Sequence, residues 1–273
     1  MPELPEAETI VRGLAARLPG RTIVAARVTH ADVLGALSAA AFRQLVRSRT
    51  VASVERRAKK IVIHFQDGGL LLVNLGMTGT LILTGRPRRE ELAHTAVRFD
   101  LDDGEALLYH DVRRFGRLEL HDAGSWEQRQ SALGAEPLDA AFTAAALFDL
   151  TRRSRTPIRN WLLDQRRVAG VGNIYANEAL FRAGIDPRRP ADRLTLEEAT
   201  RLHAGLRGVL REAIVARGTT LSDFRDDRGE SGGFAPLLQV YGREGESCPR
   251  CGRIIERAVL TNRSLFFCPG CQR

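Results

Sequence analysis

Lysine is nearly missing from this chain. Of its 41 basic residues, only Lys59 and Lys60 are lysines, and they are adjacent; the remainder are arginine. Cysteine is missing from the first 247 residues. There is no run of about 18 apolar residues, which argues against a membrane-spanning helix. The N-terminus lacks a basic region followed by an apolar one, so a secretory leader is not expected. A cytosolic, thiol-reducing compartment follows, and with it few disulfides. Aromatics make up 6% of the residues, with two Trp and three Tyr. That leaves no ladder of rings on which a single strand could stack.

What is present points to a polyanion. A net charge of +8 and a pI near 10.1 favour nucleic acid. On charge alone, a merely basic protein remains open. The lysine pair is informative because guanidinium stays protonated at any accessible pH, whereas an ammonium can release its proton when partly desolvated. A chain that uses Arg almost everywhere would need Lys at a site requiring a compact, titratable cation, so the pair points to an active site. All four cysteines lie in the last 26 residues, as Cys248-x-x-Cys251 and Cys268-x-x-Cys271 with 16 residues between the pairs. The spacing suits one tetrahedral structural Zn2+ on two knuckles joined by a β-hairpin. Two disulfides or four unrelated thiols are the alternatives, but a bridge within either pair would close a very short loop. Four thiolates would fill the metal's coordination sphere, which disfavours a zinc-dependent hydrolase.

The hydrophobic pattern changes along the chain. Residues 6–18 read as a helix with Ile10, Val11, Leu14 and Leu18 on one stripe. Short strands are predicted at 22–29, 60–65, 70–75, 80–83, 96–101, 106–109 and 117–120, punctuated by Gly and Asp. Strands at this spacing suggest a β-sandwich or barrel. Helices are predicted at 140–152, 157–163, 174–183 and 196–216, the last with capping-box spacing from Thr195 to Glu198. Residues 218–236 read as a mobile Gly- and Asp-rich loop. The fold class is α+β and multidomain. Residues 1–121 form an N-terminal β domain with its helix, 122–139 a linker carrying one short helix, 140–238 a helical domain, and 239–273 a zinc hairpin.

Several segments could carry chemistry. Removal of Met1 would expose the secondary amine of Pro2. Terminal amines titrate about two units below Lys, so far more is free base at neutral pH. Such an amine can add to a sugar aldehyde carbon and form an iminium, an electron sink for elimination. Glu3 stands beside it as acid or base. An ordinary Pro-containing helix start fits the same residues. Arg113 and Phe115, read as a strand end, would share a face and could wedge a base stack; an edge strand with a core Phe fits too. Gly170-Val171-Gly172-Asn173, with Asn as N-cap, could expose N–H groups to a phosphate, as could an ordinary helix start.

Taken together, MPELPEAET, ERRAKKIVI (55–63), LGMTG (75–79), RRFGRL (113–118), GVGNIYANEALF (170–181) and CPRCG…FFCPGCQR are identified as motifs of the formamidopyrimidine-DNA glycosylase family. They run in the family's order from first residue to last. The resemblance implies a β-sandwich, a helix–two-turns–helix domain and a zinc β-hairpin, with DNA held between domains. It implies Pro2 as nucleophile at C1′ of a flipped nucleotide and Glu3 as the acid that opens the deoxyribose. Lys59 is implied in β-elimination and Arg263 in δ-elimination and phosphate binding. Met77, Arg113 and Phe115 would fill the gap in the duplex. His94, Arg155 and Asn173 would bind the backbone, and the 218–236 loop would close over an oxidised purine.

The implied partner is double-stranded DNA with oxidised bases or abasic sites. The implied setting is a bacterial-type, nucleoid-associated monomer with no membrane role. Val112, Lys60, Asn74 and Gly233 depart from the family's usual Pro, aromatic, His and Thr. The rivals are an endonuclease VIII-type enzyme for oxidised pyrimidines and a damage-binding protein without catalysis.

Overall fold

The computed structural model describes residues 2–273. They form two compact units. The first is Met1–Ser131 with Ala216–Gly233; the second is Ala132–Val215 with Phe234–Arg273.

The first unit opens with helix α1 (Leu4–Ala15), whose apolar stripe of Ala7, Ile10, Val11 and Leu14 is buried. The chain continues through β1 (Ile23–Val28), α2 (Ala39–Val46), β2 (Val51–Arg57), β3 (Lys60–Phe65), β4 (Leu70–Asn74), β5 (Gly79–Thr84), α3 (Arg89–Ala93), β6 (Thr95–Leu101), β7 (Ala106–Asp111), β8 (Arg117–His121) and α4 (Ala123–Ser131). Two antiparallel four-stranded sheets result, ordered β1-β6-β7-β5 and β2-β3-β4-β8. Their inner faces meet. Ile61, Ile63, Phe65, Leu71 and Val73 of one sheet share a single buried cluster with Leu81, Leu83, Val97, Phe99 and Leu107 of the other. This is a β-sandwich: successive side chains of each strand point to opposite faces, and one set from each sheet meets in the shared core. The outer face of the second sheet is not left wet. Trp126 of α4 covers Val62, Leu70 and Leu72, so the short helix read within the linker belongs to the sandwich.

The second unit contains α5 (Ala144–Thr151), α6 (Ile158–Leu163), α7 (Asn173–Ala183), α8 (Leu196–Val215) and the hairpin β9 (Glu256–Leu260) with β10 (Arg263–Phe267). The α6–turns–α7 arrangement is a helix–two-turns–helix element. α7 is buried almost all round and ends at Gly184 in the left-handed conformation (φ 71). α8 starts with the capping box its spacing implies, Glu198 N donating to Thr195 Oγ1 and Thr195 N to Glu198 Oε2. Phe181 of α7 joins Val240, Cys248, Ile255, Phe266 and Cys268 in the core under the hairpin. No helix among the described residues is long and apolar enough to cross a membrane.

The segment read as a mobile loop is tied down. Residues 216–233 belong to the first unit although α8 leads into them. Thr80 Oγ1 donates to Arg225 O at 2.7 Å, and Leu83 N donates to Asp227 O at 3.0 Å. Arg217 pairs with the buried carboxylate of Asp226, whose Oδ1 also accepts from Arg228 N and Glu230 N. Asp226 and Arg217 turn a Gly-rich sequence into an ordered loop, because a side-chain acceptor replaces ladder bonds that the backbone lacks.

Candidate active site and nucleic-acid interface

In the first unit, the chemistry-bearing residues gather at the start of α1. Pro2 and Glu3 are buried. Glu3 is the N-cap and forms a reciprocal capping box with Glu6, whose Oε2 accepts from Glu3 N at 2.7 Å. The other oxygen of Glu6 accepts from Thr219 N at 2.8 Å. One buried carboxylate thereby holds both the backbone beside Pro2 and the root of the 218–233 loop. Glu6 has no signature in the sequence beyond helix-start spacing; its loop partner is 213 residues away. Met1 lies outside the described residues, so the expectation that it is removed does too.

Lys59 stands in the two-residue turn between β2 and β3, with Arg57 paired to Lys60. Lys60 points from the outer face of its sheet. Burial pulls its ammonium below the ordinary lysine range, as does the nearby Arg129 charge, against a smaller opposing pull from Glu119. His94 is exposed, and its ring meets that of His110 edge-on at 5.6 Å.

Met77, Arg113 and Phe115 protrude from two adjoining loops. Met77 is 37% exposed and Phe115 55%, and the Arg113 guanidinium lies 4.7 Å from the centre of the Phe115 ring. The strand-end geometry expected for this pair is not what brings it together. Residues 112–116 form a loop between β7 and β8, with Arg114 at φ 56. That loop is organised by Asp111, which the sequence did not single out. Asp111 is 1% exposed. Its Oδ1 accepts from Thr78 Oγ1 at 2.5 Å; its Oδ2 accepts from Gly116 N at 2.9 Å and Tyr109 OH at 3.2 Å. Thr78 Oγ1 in turn accepts from Arg113 N at 2.9 Å. Burial and the Asp111 carboxylate push the Tyr109 phenol far above its ordinary value, so it remains a donor. Two glycines let the loops touch. A Cβ on Gly76 (φ 60) would sit 2.5 Å from Gly116 N, and one on Gly116 would collide with Tyr109 OH.

Val112, in the position usually occupied by Pro, therefore does not leave this loop slack; Asp111 supplies the order. Replacing Asp111 by Ala would strand two buried donors, Thr78 Oγ1 and Gly116 N, each costing about 1–3 kcal/mol, and would leave Tyr109 OH its longer bond to Asn74 O at 3.4 Å. We expect a loss of about 3 kcal/mol in stability and roughly tenfold weaker binding to lesion-containing duplex. Thermal melting and fluorescence anisotropy check both, and an unchanged pair of values would remove the role assigned to Asp111.

In the second unit, the hairpin turn consists of Thr261 and Asn262, both at positive φ (51 and 58). Two left-handed residues make the turn that matches strand twist, and they place Arg263 directly after it, exposed and paired with Leu260. Beneath it lies Arg159, fully buried. Its guanidinium donates to Leu260 O at 3.3 Å, Ser264 O at 2.8 Å and Asn160 Oδ1 at 2.7 Å. Burial, with the Arg263 charge nearby, pulls Arg159 down to about 10, so it remains a cation at neutral pH. Arg159, Asn160, Leu163, Asp164, Thr261 and Arg263 line a cleft of about 290 Å³.

Asn173 is the first residue of α7 and not its cap, which is Gly172. Its amide donates to Ser264 O at 2.9 Å, and the neighbouring Asn177 accepts from Phe266 N at 2.9 Å. Both asparagines thus fasten the hairpin to α7. Arg155 is exposed, with only a 3.8 Å approach to Asp192.

The four Sγ atoms of Cys248, Cys251, Cys268 and Cys271 all lie within 4.8 Å of one another. Cys248 and Cys271 are 3.8 Å apart, and Cys251 and Cys268 3.4 Å. A tetrahedron of thiolates with Zn–S distances of about 2.3 Å has S···S edges of about 3.8 Å, so the quartet fits one structural zinc ion. All four thiols are free of disulfides.

Comparison with known proteins follows the same division. Residues 1–118 match the model of the formamidopyrimidine-DNA glycosylase N-terminal domain, 133–225 that of its H2TH domain, and 245–273 that of a zinc finger found in FPG and IleRS. A formamidopyrimidine-DNA glycosylase of Chloroflexus aggregans is 42% identical over 272 residues, covering 100% of this chain and 98% of its own. One from Laribacter hongkongensis is 44% identical, with both chains fully covered. The MutM (FPG) protein of Thermus thermophilus superposes with a TM-score of 0.87 at 42% identity, covering 99% of this chain and 98% of its own. A Lactococcus lactis FPG in complex with Fapy-dG-containing DNA superposes with a TM-score of 0.91 at 30% identity over both full chains. With sandwich, helix–two-turns–helix element and zinc hairpin each matched in order, the chain belongs to the formamidopyrimidine-DNA glycosylase family.

Proposed function

We propose that this chain is a bifunctional DNA glycosylase and abasic-site lyase that removes oxidised purines, 8-oxoguanine and formamidopyrimidines, from double-stranded DNA. The observation that carries the reading is the Glu3–Glu6–Thr219 set, in which one buried carboxylate orders the backbone next to Pro2 together with the loop assigned to the lesion.

The Pro2 nitrogen lone pair attacks C1′ of the extruded nucleotide. The glycosidic bond breaks, and its electron pair leaves with the base, which takes up a proton. Glu3 protonates the ring oxygen as the C1′–O bond opens, leaving an iminium on Pro2. Loss of the C2′ proton into this electron sink expels the 3′ phosphate, and a second elimination expels the 5′ phosphate. Lys59 assists the first elimination. Arg263 holds the phosphate and serves the second. Met77, Arg113 and Phe115 fill the space vacated in the duplex, and His94, Arg155 and Asn173 take backbone phosphates. Zinc supplies hairpin order and no reacting group. The setting is cytoplasmic and nucleoid-associated.

The test is incubation with duplex containing 8-oxoguanine in the presence of borohydride. A covalent adduct and strand nicking are expected, with faster excision of 8-oxoguanine than of thymine glycol. The reverse preference would make the chain an endonuclease VIII-type enzyme. Tight binding without adduct or nicking would make it a damage-binding protein.

A further inference from the structure

The turn that carries Lys59 is strained and externally held. Ala58, its first residue, is 2% exposed and has φ 55, a conformation that glycine adopts readily and alanine does not. Such residues persist only where their surroundings over-determine them. Here the surroundings include Arg56. Its Nη1 donates to the Ala58 carbonyl oxygen at 2.9 Å. That carbonyl belongs to the peptide plane joining Ala58 to Lys59. The Nε of the same guanidinium donates to Glu8 Oε2 at 2.8 Å. The Arg56 side chain is only 10% exposed. Glu8 lies in the middle of α1, the helix that begins beside Pro2, and its other oxygen accepts from Arg12 at 2.8 Å. Burial alone would raise the Glu8 carboxyl, but the bonds from Arg12 and Arg56 outweigh it and hold the group below its ordinary value. Glu8 is therefore a carboxylate, and the tie is charge-assisted.

We propose that Arg56 is a positioning residue for Lys59: it fastens the Ala58–Lys59 peptide plane to α1, so that the lysine of the elimination step and the amine of the nucleophilic step are held in one frame. This rests on the assignment of Pro2 and Lys59 above. Arginine suits the task because its planar fork reaches two acceptors in different directions, whereas a lysine ammonium is a single point charge. Removing Arg56 leaves Glu8 still paired with Arg12, so no carboxylate is orphaned. What is lost is the hold on a turn that alanine does not favour.

Two readouts on one abasic duplex separate the steps: the rate of borohydride-trapped adduct, set by Pro2, and the single-turnover rate of strand cleavage, set by Lys59. Arg56→Met should slow cleavage about tenfold while adduct formation stays within about twofold, since small misplacements of a catalytic group carry losses of this order. Arg56→Lys should fall between. Adding Ala58→Gly to Arg56→Met should recover part of the cleavage rate, because glycine tolerates the positive φ. A general loss of folding would lower both rates together and would not be recovered this way. Should Arg56→Met fail to fold, Glu8→Gln weakens the same tie and should lower cleavage about threefold without lowering the adduct rate. Wild-type cleavage in the variant that folds, or a parallel fall of both rates, overturns the proposal. No adduct from the unmodified protein would instead overturn the Pro2 assignment on which it stands.

Discussion

A chain that keeps an extra residue ahead of Pro2 should form no trapped adduct with abasic DNA and lose strand cleavage by about a thousandfold or more, roughly 4 kcal/mol of barrier. The reason lies in the nitrogen itself. Acylated by a preceding residue, Pro2 is a tertiary amide whose lone pair is delocalised into the carbonyl. Freed, it is a secondary amine of the terminal class, which as a class titrates below the lysine range and keeps more free base near neutral pH. Lesion binding should survive within a few fold, because the loops that carry Met77, Arg113 and Phe115, the residues proposed to fill the duplex, are organised by Asp111 and not by the N-terminus. The measurement is borohydride trapping of a chain extended by one uncleavable residue, beside anisotropy on the same duplex. Full trapping by the extended chain would remove Pro2 from the mechanism.

The sequence disclosed those features whose information is local. The cysteine knuckles are legible because ligand spacing is encoded within four residues, and the strands from 60 to 121 because short apolar runs bounded by Gly and Asp are encoded within about six. β2 gives no such signal: VASVERR buries only Val51 and Val54 and ends in charge, so its hydrophobic pattern is weak. Glu6, Arg159 and Asp111 could not be read as organisers, because the contacts that matter run from Glu6 to Thr219, from Arg159 to Leu260 and Ser264, and from Asp111 to Thr78. Each joins segments 33 to 213 residues apart. The Arg113–Phe115 pair shows a different limit. A strand's period-2 logic pairs these two residues, but they meet in a loop through the left-handed Arg114, which no periodicity contains.

Removing zinc should abolish lesion binding. β9 and β10 are five residues each, and a two-stranded hairpin is marginal on its own in water. The small cluster beneath them contains two of the cysteines themselves. Structural zinc in such modules contributes an apparent 10–16 kcal/mol, roughly, at neutral pH, more than the remaining contacts can replace. The damage would not stay in the hairpin. Without the metal, Arg159 loses the Leu260 and Ser264 carbonyls that satisfy it. Its guanidinium keeps Asn160 Oδ1 but is no longer held under the hairpin, so the cleft it lines with Thr261 and Arg263 is lost. Asn173 and Asn177 lose their hairpin partners at the same time. Chelation, or Cys268→Ser, should therefore lower the melting temperature and abolish binding to 8-oxoguanine duplex by anisotropy. Arg263→Gln is the contrasting variant. It should melt as the unmodified protein does, weaken binding across sequences, and reduce the salt slope of log K by about 1, the signature of one lost phosphate contact. Tight lesion binding by metal-free protein would deny the hairpin its role. A salt slope unchanged in Arg263→Gln would deny Arg263 its phosphate.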